Sequence, residues 1–583
     1  MRSVLKSTYS AIHTPISHFG MSSLSYRKLR APDDDGTALI DPPPADVPAM
    51  IAANRAAARD RDLRLGLRRG FCADARQRML PAGAARDADS APTVIMTGHQ
   101  PTLFHPGVWF KNFLVSSIAQ SVGGAAVNLV VDSDTVRVPG IPLPTGVGDE
   151  TRLVEALFDA PGDEVPWEER RLVDPQLFAS FPRRVHETLP PLLGASGDNQ
   201  PLLVDRLWPL AVEQPECQRA DAERKSRDLC TNLALAIPDE CHPSLAERSV
   251  RPGWCLAAAR HELERQAGLT LYQSLLSELS FWFDFGFFAE VLIARCAEFQ
   301  AAHNAALAEY RALNGIRSHS HPVPGLARDG EWVEVPLWIW SRDNPRRRRV
   351  FARRVAGVWE LTDRETIMLR PVAGQRTDMP AFMYVTLRDG VTLRPRALLT
   401  TMYARLVLSD LFIHGIGGAK YDELTDEIIR RFFGIEPPRY LTATATFRLP
   451  IERPNITIDD VRDAARLVRN VRYRPESLVG HPLLANDAAL ERELQALAAE
   501  KRRYVRSHTI RRGSHDVFAG LERINASMYE RLKLLEAHLR AEHSRLTRQL
   551  QQARTLGSRE FSFVLYPEEY LVPRLLALAS PEK

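Results

Sequence analysis

The chain has 583 residues, of which 45% are apolar and 25% charged. It is too long for one hydrophobic core, so two to four structural units are expected, and the composition excludes wholesale disorder. Lys and Arg number 76 against 72 Asp and Glu, a net charge of +4, which gives no overall field for nucleic-acid binding.

The lead MRSVLKSTYSAIHTPISHFG lacks the apolar stretch of a secretory signal and runs into Met21, leaving Met1 and Met21 as candidate starts. A membrane span needs about 18 consecutive apolar residues or more and none is present, so no membrane partner and a cytoplasmic location are expected. Residues 1–92 read as an N-terminal extension and linker: a proline-rich stretch over 31–48, an Ala/Arg-rich helix near 48–69 and a small-residue segment over 81–93.

A core with insertions is expected over 93–480. Val94, Ile95 and Met96 form an apolar strand ending in Thr97-Gly98-His99-Gln100, and a helix opens at Gly107. Ala125 to Val131 is a second buried strand, ending in Asp132-Ser133-Asp134-Thr135. This is a βαβ start, so an α/β fold with a parallel sheet is predicted, with ligands at the carboxyl ends of the strands. Residues 150–315 read as mainly helical, with the aromatic run Phe281 to Phe288 as packing. Residues 331–361 read as a small β insertion with Arg346 to Arg349 at a solvated hairpin tip.

Parallel-sheet character is expected to return at Val391 to Leu393. A helix follows from Arg396, then a strand over Leu411 to His414, then a helix from Asp422 to Phe433 stopped by Gly434. Residues 481–557 carry heptad-like apolar spacing: Leu490, Leu494 and Leu497, then Leu521, Ile524, Met528, Leu532, Leu535, Leu539, Leu546 and Leu550. A coiled-coil arm is predicted, folded as an antiparallel hairpin about Gly513 and Ser514. The apolar tail over 558–583 is expected to pack back on the body.

Chemistry concentrates in three loops. Gly98, Gln100 and Gly107 frame two imidazoles, His99 and His105, between a strand and a helix amino terminus, where backbone N–H groups favour an anion. Asp132 and Asp134 follow the second strand; strand alternation would put both carboxylates on one side, to grip an amine or a hydroxyl or to coordinate a metal, or else to serve as an Asx turn capping the strand. His414, Gly415, Gly417, Gly418 and Lys420 combine permissive glycines with a cation at a helix start, suited to phosphate or carboxylate, or to a plain tight turn. Arg394 and Arg396 offer a carboxylate-binding fork or an ordinary surface pair, and His319 and His321 are second-tier candidates.

Six cysteines, Cys72, Cys217, Cys230, Cys241, Cys255 and Cys296, contain no C-x-x-C pair. They suggest a reducing compartment, and the four from Cys217 to Cys255, with His242, match no zinc spacing; no metal is expected. Walker A, G-x-S-x-G, H-E-x-x-H and the dinucleotide glycine fingerprint are all missing, which argues against the chemistries those motifs serve.

TGHQPTLFHPG, VVDSDT, HPVPGL before PLWIW, LRPRALL and FIHGIGGAKYDELTDEIIRRFFGIEPP, in this order over roughly 93–575, resemble the bacillithiol biosynthesis cysteine-adding enzyme (BshC) family. The resemblance implies a Rossmann-type HUP core with insertions, a coiled-coil arm used for homodimerisation, and a ligase-like reaction joining cysteine to a glucosaminyl-malate. By position it carries Gly98, Gln100 and Gly107 into the family's first loop, Asp132 and Asp134 into its second, and Gly417 and Gly418 into its glycine turn. Departures fall at His99, where the family commonly has glutamine, at 132–135, where it has an acidic-histidine run, and at Lys420-Tyr421-Asp422.

The leading expectation is amide formation, with His99 and His105 stabilising anionic charge, Asp132 or Asp134 binding the amine, and Lys420 holding an anion. ATP or ADP as a cofactor stays open. The alternatives are nucleotidylyl transfer to another small molecule, and a non-catalytic dimeric scaffold.

Overall fold

The computed structural model describes residues 29–58, 61–81, 92–189, 201–213, 250–281, 283–370, 380, 382, 385–386, 389–507 and 515–580. The central sheet contains β1 (Thr37–Asp41), β2 (Val94–His99), β3 (Ala125–Val130), β6 (Tyr272–Leu275), β13 (Leu411–His414) and β14 (Tyr440–Thr446), in the order β1-β14-β13-β2-β3-β6. All are parallel except β1, which pairs antiparallel with β14. In chain order the parallel strands stand 3-2-1-4-5, so the winding reverses between β2 and β13.

Both faces of this sheet are covered, which is why β3 is buried at every residue. Strand alternation divides the core. On β2, Ile95 joins Trp109, Phe110 and Phe113 of helix α3 (Pro106–Ser121) and the returning segment at Phe563 and Val564. Val94 and Met96 face the other way, towards Phe288, Phe299 and Leu424.

The stretch read as an N-terminal extension is integral. β1 is a sheet edge, and helices α1 (Val47–Ala58) and α2 (Phe71–Met79) pack into the two cores. Polar and proline-rich residues give no periodicity that announces such a strand; its partner β14 supplies the order. Asp410, just before β13, gathers these parts. Its Oδ2 accepts from Val94 N at 2.9 Å and its N–H donates to Val94 O at 2.8 Å, which locks the start of β2. Arg76 of α2 donates to Asp410 Oδ1 at 2.7 Å, and Asn54 of α1 donates to Asp410 O at 2.8 Å.

The β insertion is larger than the sequence suggested. β8 (Trp332–Ser341), β9 (Asn344–Val355), β10 (Val358–Thr362), β11 (Met368–Leu369) and β12 (Val391–Pro395) form an antiparallel sheet ordered β11-β10-β9-β8-β12, with β7 (Arg328–Asp329) on β8. Val391–Pro395 is therefore an antiparallel edge, not the return of the parallel sheet. A short apolar run carries no mark of which sheet it joins. Arg346 to Arg349 lie inside β9 rather than at a hairpin tip. β4 (Gly140–Thr145) and β5 (Arg152–Leu157) make a separate hairpin.

Three helices follow the core: α9 (Ile458–Tyr473), α10 (Ala488–Ser507) and α11 (His515–Leu556). Arg531 pairs with Glu493 at 2.7 Å while Gly520 lies against Tyr504, so α10 and α11 run antiparallel. Leu494, Met528, Leu532, Leu535 and Leu539 bury one another together with Val471 of α9 and with Leu478. Much of the heptad seam is thus filled within the chain. No helix among the described residues is long and apolar enough to cross a membrane.

Replacing Asp410 by Asn should leave the buried Arg76 guanidinium without its counter-charge and cost about 3–5 kcal/mol in denaturant unfolding. A loss below about 1 kcal/mol would show that the register of β2 and β13 does not rest on this carboxylate.

Candidate functional site

The three sequence loops leave adjacent strands β13, β2 and β3 at their carboxyl ends. After β2, the half-buried His99 ring stands edge-on to Phe104 at 4.9 Å, and its Nδ1 lies 3.3 Å from Gln100 O. A carbonyl partner requires N–H at Nδ1, which leaves Nε2 as an acceptor. Burial, then the Lys111 charge, lowers its pKa to about 3, so the ring is neutral near pH 7. His105 caps α3, its Nδ1 accepting from Gly107 N at 3.1 Å. Burial and Arg559 lower its pKa to about 4. Gly107 serves close packing: a Cβ there would stand 2.2 Å from Ala445 O on β14.

The carboxylates of the second loop diverge. β3 ends at Val130, so strand alternation no longer governs Asp132 and Asp134. Asp132 turns inward and accepts from Ser277 N at 2.9 Å and from the Ser277 hydroxyl. Its neighbour Glu168 is held by the Arg394 fork, with Nε to Oε1 at 3.0 Å and Nη2 to Oε2 at 2.7 Å. Burial, reinforced by the charge of Glu168, pushes the Asp132 carboxyl up to about 7. Asp134 Oδ2 instead accepts from Gln100 Nε2 at 2.8 Å, tying the first two loops together, and Oδ1 meets Arg347 at 3.0 Å. Arg394 and Arg396 are therefore engaged internally, the latter with Glu334 at 2.7 Å.

After β13, His414 is buried with Nε2 2.7 Å from Asp422 Oδ2, off the angle of a good hydrogen bond. Asp422 is also bound by Thr401 at 2.6 Å and Arg405 at 2.9 Å. Gly415, which has no side chain to cap with, is the N-cap of helix α8 (Ile416–Phe433). A Cβ at Gly415 or Gly417 would meet nothing within 4 Å, whereas one at Gly418 would press on His414 Nδ1 at 2.9 Å. Backbone is thus open to a ligand at the first two, and Gly418 permits close packing. Lys420 is exposed one turn along α8. His319 and His321 are exposed, with the His321 ring 6.2 Å from Tyr421.

Two cations escaped sequence reasoning. Lys111, 4% exposed, donates to Gly98 O at 3.0 Å, and burial with the nearby Arg260 charge lowers its pKa to about 8. Arg260, on helix α4 (Pro252–Gln266), lies 5.1 Å from the Phe104 ring centre and 3.5 Å from Glu264. Glu264 already accepts from Trp109 at 2.8 Å and Asn112 at 2.6 Å. A signal for Lys111 was present: it is the only Lys or Arg in the apolar helix PGVWFKNFLVSSIAQS. Arg260 had none.

The edge therefore presents cations and neutral imidazoles beside a carboxyl that exchanges its proton near neutrality. Such a site suits an oxyanion on one side and an amine or a transferred proton on the other. Among the described residues no group of three or more His, Cys, Asp and Glu is arranged to hold a metal ion. Cys217, Cys230, Cys241 and His242 lie outside the described residues, and Cys255 is buried in α4. No protein-family model and no curated protein matches the chain.

The raised Asp132 pKa favours the fold fully below its ordinary 3.8, and that contribution is lost as pH rises through about 7. Asp132→Asn should therefore be more stable than the parent at pH 8, with the slope removed between pH 4 and 7 reaching about 1.4 kcal/mol per pH unit at most. His99 acts oppositely: its lowered pKa gives stability present above 6.5 and lost as pH falls towards about 3, so His99→Gln should resist acid better. Unfolding curves across pH test both; profiles parallel to the parent's would refute the assignments.

Proposed function

We propose that the chain is a ligase-like enzyme of the cytoplasm with a Rossmann-like HUP core, joining an amino acid, cysteine, to the carboxylate of a small sugar-acid acceptor. The reading follows the resemblance to the bacillithiol cysteine-adding family. Its main structural support is the convergence of three loops from neighbouring parallel strands at the point where the winding reverses, with Gln100 and Asp134 joined at 2.8 Å.

In this reading the acceptor's anionic groups sit against Lys111, Arg260 and the backbone at Gly415 and Gly417, where the space a side chain would take is open. The cysteine amine meets Asp134 or Asp132. As the amide C–N bond forms, the acceptor's C–O bond breaks: its oxygen leaves with the electron pair as phosphate if ATP has first phosphorylated the carboxylate, and otherwise as water with the two protons that the cysteine ammonium loses, one of them passing by way of Asp132 or Asp134. ATP or ADP is the nucleotide such a core would accept, and α10 and α11 would extend as a coiled coil to pair two copies.

Nucleotidylyl transfer is the second reading, favoured by the neutral imidazoles of His99 and His105 near buried cations. Pyrophosphate release separates it from the first.

Thermal unfolding with ATP, ADP, cysteine and glucosaminyl-malate should show stabilisation by at least one of them, about 2.7 kcal/mol at a hundredfold excess over Kd. Cysteine and glucosaminyl-malate incubated with the protein, with and without ATP, should give the amide by mass spectrometry, and His99→Ala with Asp132→Ala should abolish it. Absence of both the shift and the product would sink the proposal.

A further inference from the structure

The antiparallel sheet carries a groove of about 680 Å³ whose walls include Trp338, Phe351, Arg347, Arg348, Arg349 and Arg364. That volume lies within the range of small-molecule sites, roughly 300–1,000 Å³. The groove's lining includes those four arginines and three acidic residues, Asp329, Asp363 and Glu365. Arg348 is held by Asp363 at 2.7 Å and Glu365 at 3.1 Å, and Arg364 by Asp329. Arg349 is the least engaged. Its side chain is 58% exposed and lies 3.5 Å from Glu334. That carboxylate is already bound by Arg396 at 2.7 Å and by Ala327 N at 2.8 Å.

Arg347 connects the groove to the sheet edge. Its guanidinium lies 5.0 Å from the Trp338 ring centre. The same group donates to Ser133 O at 3.1 Å and Thr135 Oγ1 at 2.9 Å, and meets Asp134 Oδ1 at 3.0 Å. The β9 arginine therefore fastens the loop after β3 through three contacts.

We propose that this groove binds a compact polyanion, a molecule with two or more phosphate or carboxylate groups, and that the ligand competes with Asp134 for Arg347. Planar guanidinium forks suit both kinds of oxyanion. Occupancy draws Arg347 into the groove and frees the loop that bears Asp132 and Asp134. By reciprocity, whatever weakens the Arg347–Asp134 contact strengthens binding in the groove.

Calorimetric titration of the full chain with inorganic tripolyphosphate and, separately, tricarballylate tests this. At least one should bind; the stronger of the two identifies a phosphate or a polycarboxylate ligand. Arg349→Ala should weaken binding about tenfold, as expected for one charge-assisted contact, and Arg349→Lys should restore part of it. Asp134→Asn should tighten binding about three- to tenfold by releasing Arg347. Arg346→Ala, on the same strand but outside the groove, should bind as the parent does, and unfolding midpoints should show each variant folded. No binding of either anion, or equal effects of Arg346→Ala and Arg349→Ala, would overturn the site. Unchanged affinity in Asp134→Asn would overturn the competition for Arg347.

Discussion

The parallel pairing of β2 with β13 holds the rest of the molecule in place, and Asp410 is the residue that secures it. The bond from Val94 N to its carboxylate joins positions 316 residues apart in sequence. Closing so long a connection has an entropic cost, and a buried charge needs partners. Asp410 meets both demands by taking the β2 backbone on one oxygen and Arg76 on the other. The N-terminal helices are thereby part of the device that sets the strand register. Everything at the carboxyl edge inherits its position from that register.

Electrostatics at the edge follow from burial more than from the count of charges. Lys111 and Arg260 are placed where desolvation weakens their hold on protons, and burial of the His99 ring, helped by their two charges, keeps it neutral. On the other side of β2, burial forces Asp132 towards its protonated form, and the charge of its neighbour Glu168, which holds the Arg394 fork, adds to this. A low-dielectric setting makes each of these effects larger than it would be in water. Opposite protonation tendencies a strand apart are the arrangement expected where a proton or an anion changes hands.

Of this site, the loops were legible and the partnerships were not. TGHQ, VVDSDT and HGIGG announce themselves because polar and glycine residues end apolar runs. The contacts of these and neighbouring residues were not written in the linear reading. His105 caps a helix, Gly107 packs on β14, and Arg394 neutralises a carboxylate that the linear reading passed over. Lys111 was visible as a lone cation in an apolar helix, whereas Arg347 and Arg260 gained meaning only from what lies opposite them.

By itself the sequence determined the local grammar: buried strands at β2, β3 and β13, the helix after β2, and the stop at Gly434, whose φ of +66° suits glycine; the helix after β13 is legible only from Asp422 but begins at Ile416, because its glycines mask the first turn. These depend on residues near one another in the chain. Only the tertiary structure decided that Thr37–Asp41 completes the central sheet, that Val391–Pro395 belongs to the antiparallel one, and that Asp132 and Asp134 face different partners. A strand's own residues state its period and its apolarity. Which edge it joins is set by hydrogen bonds to distant backbone, and a side chain's protonation is set by the solvent it loses; neither is written locally.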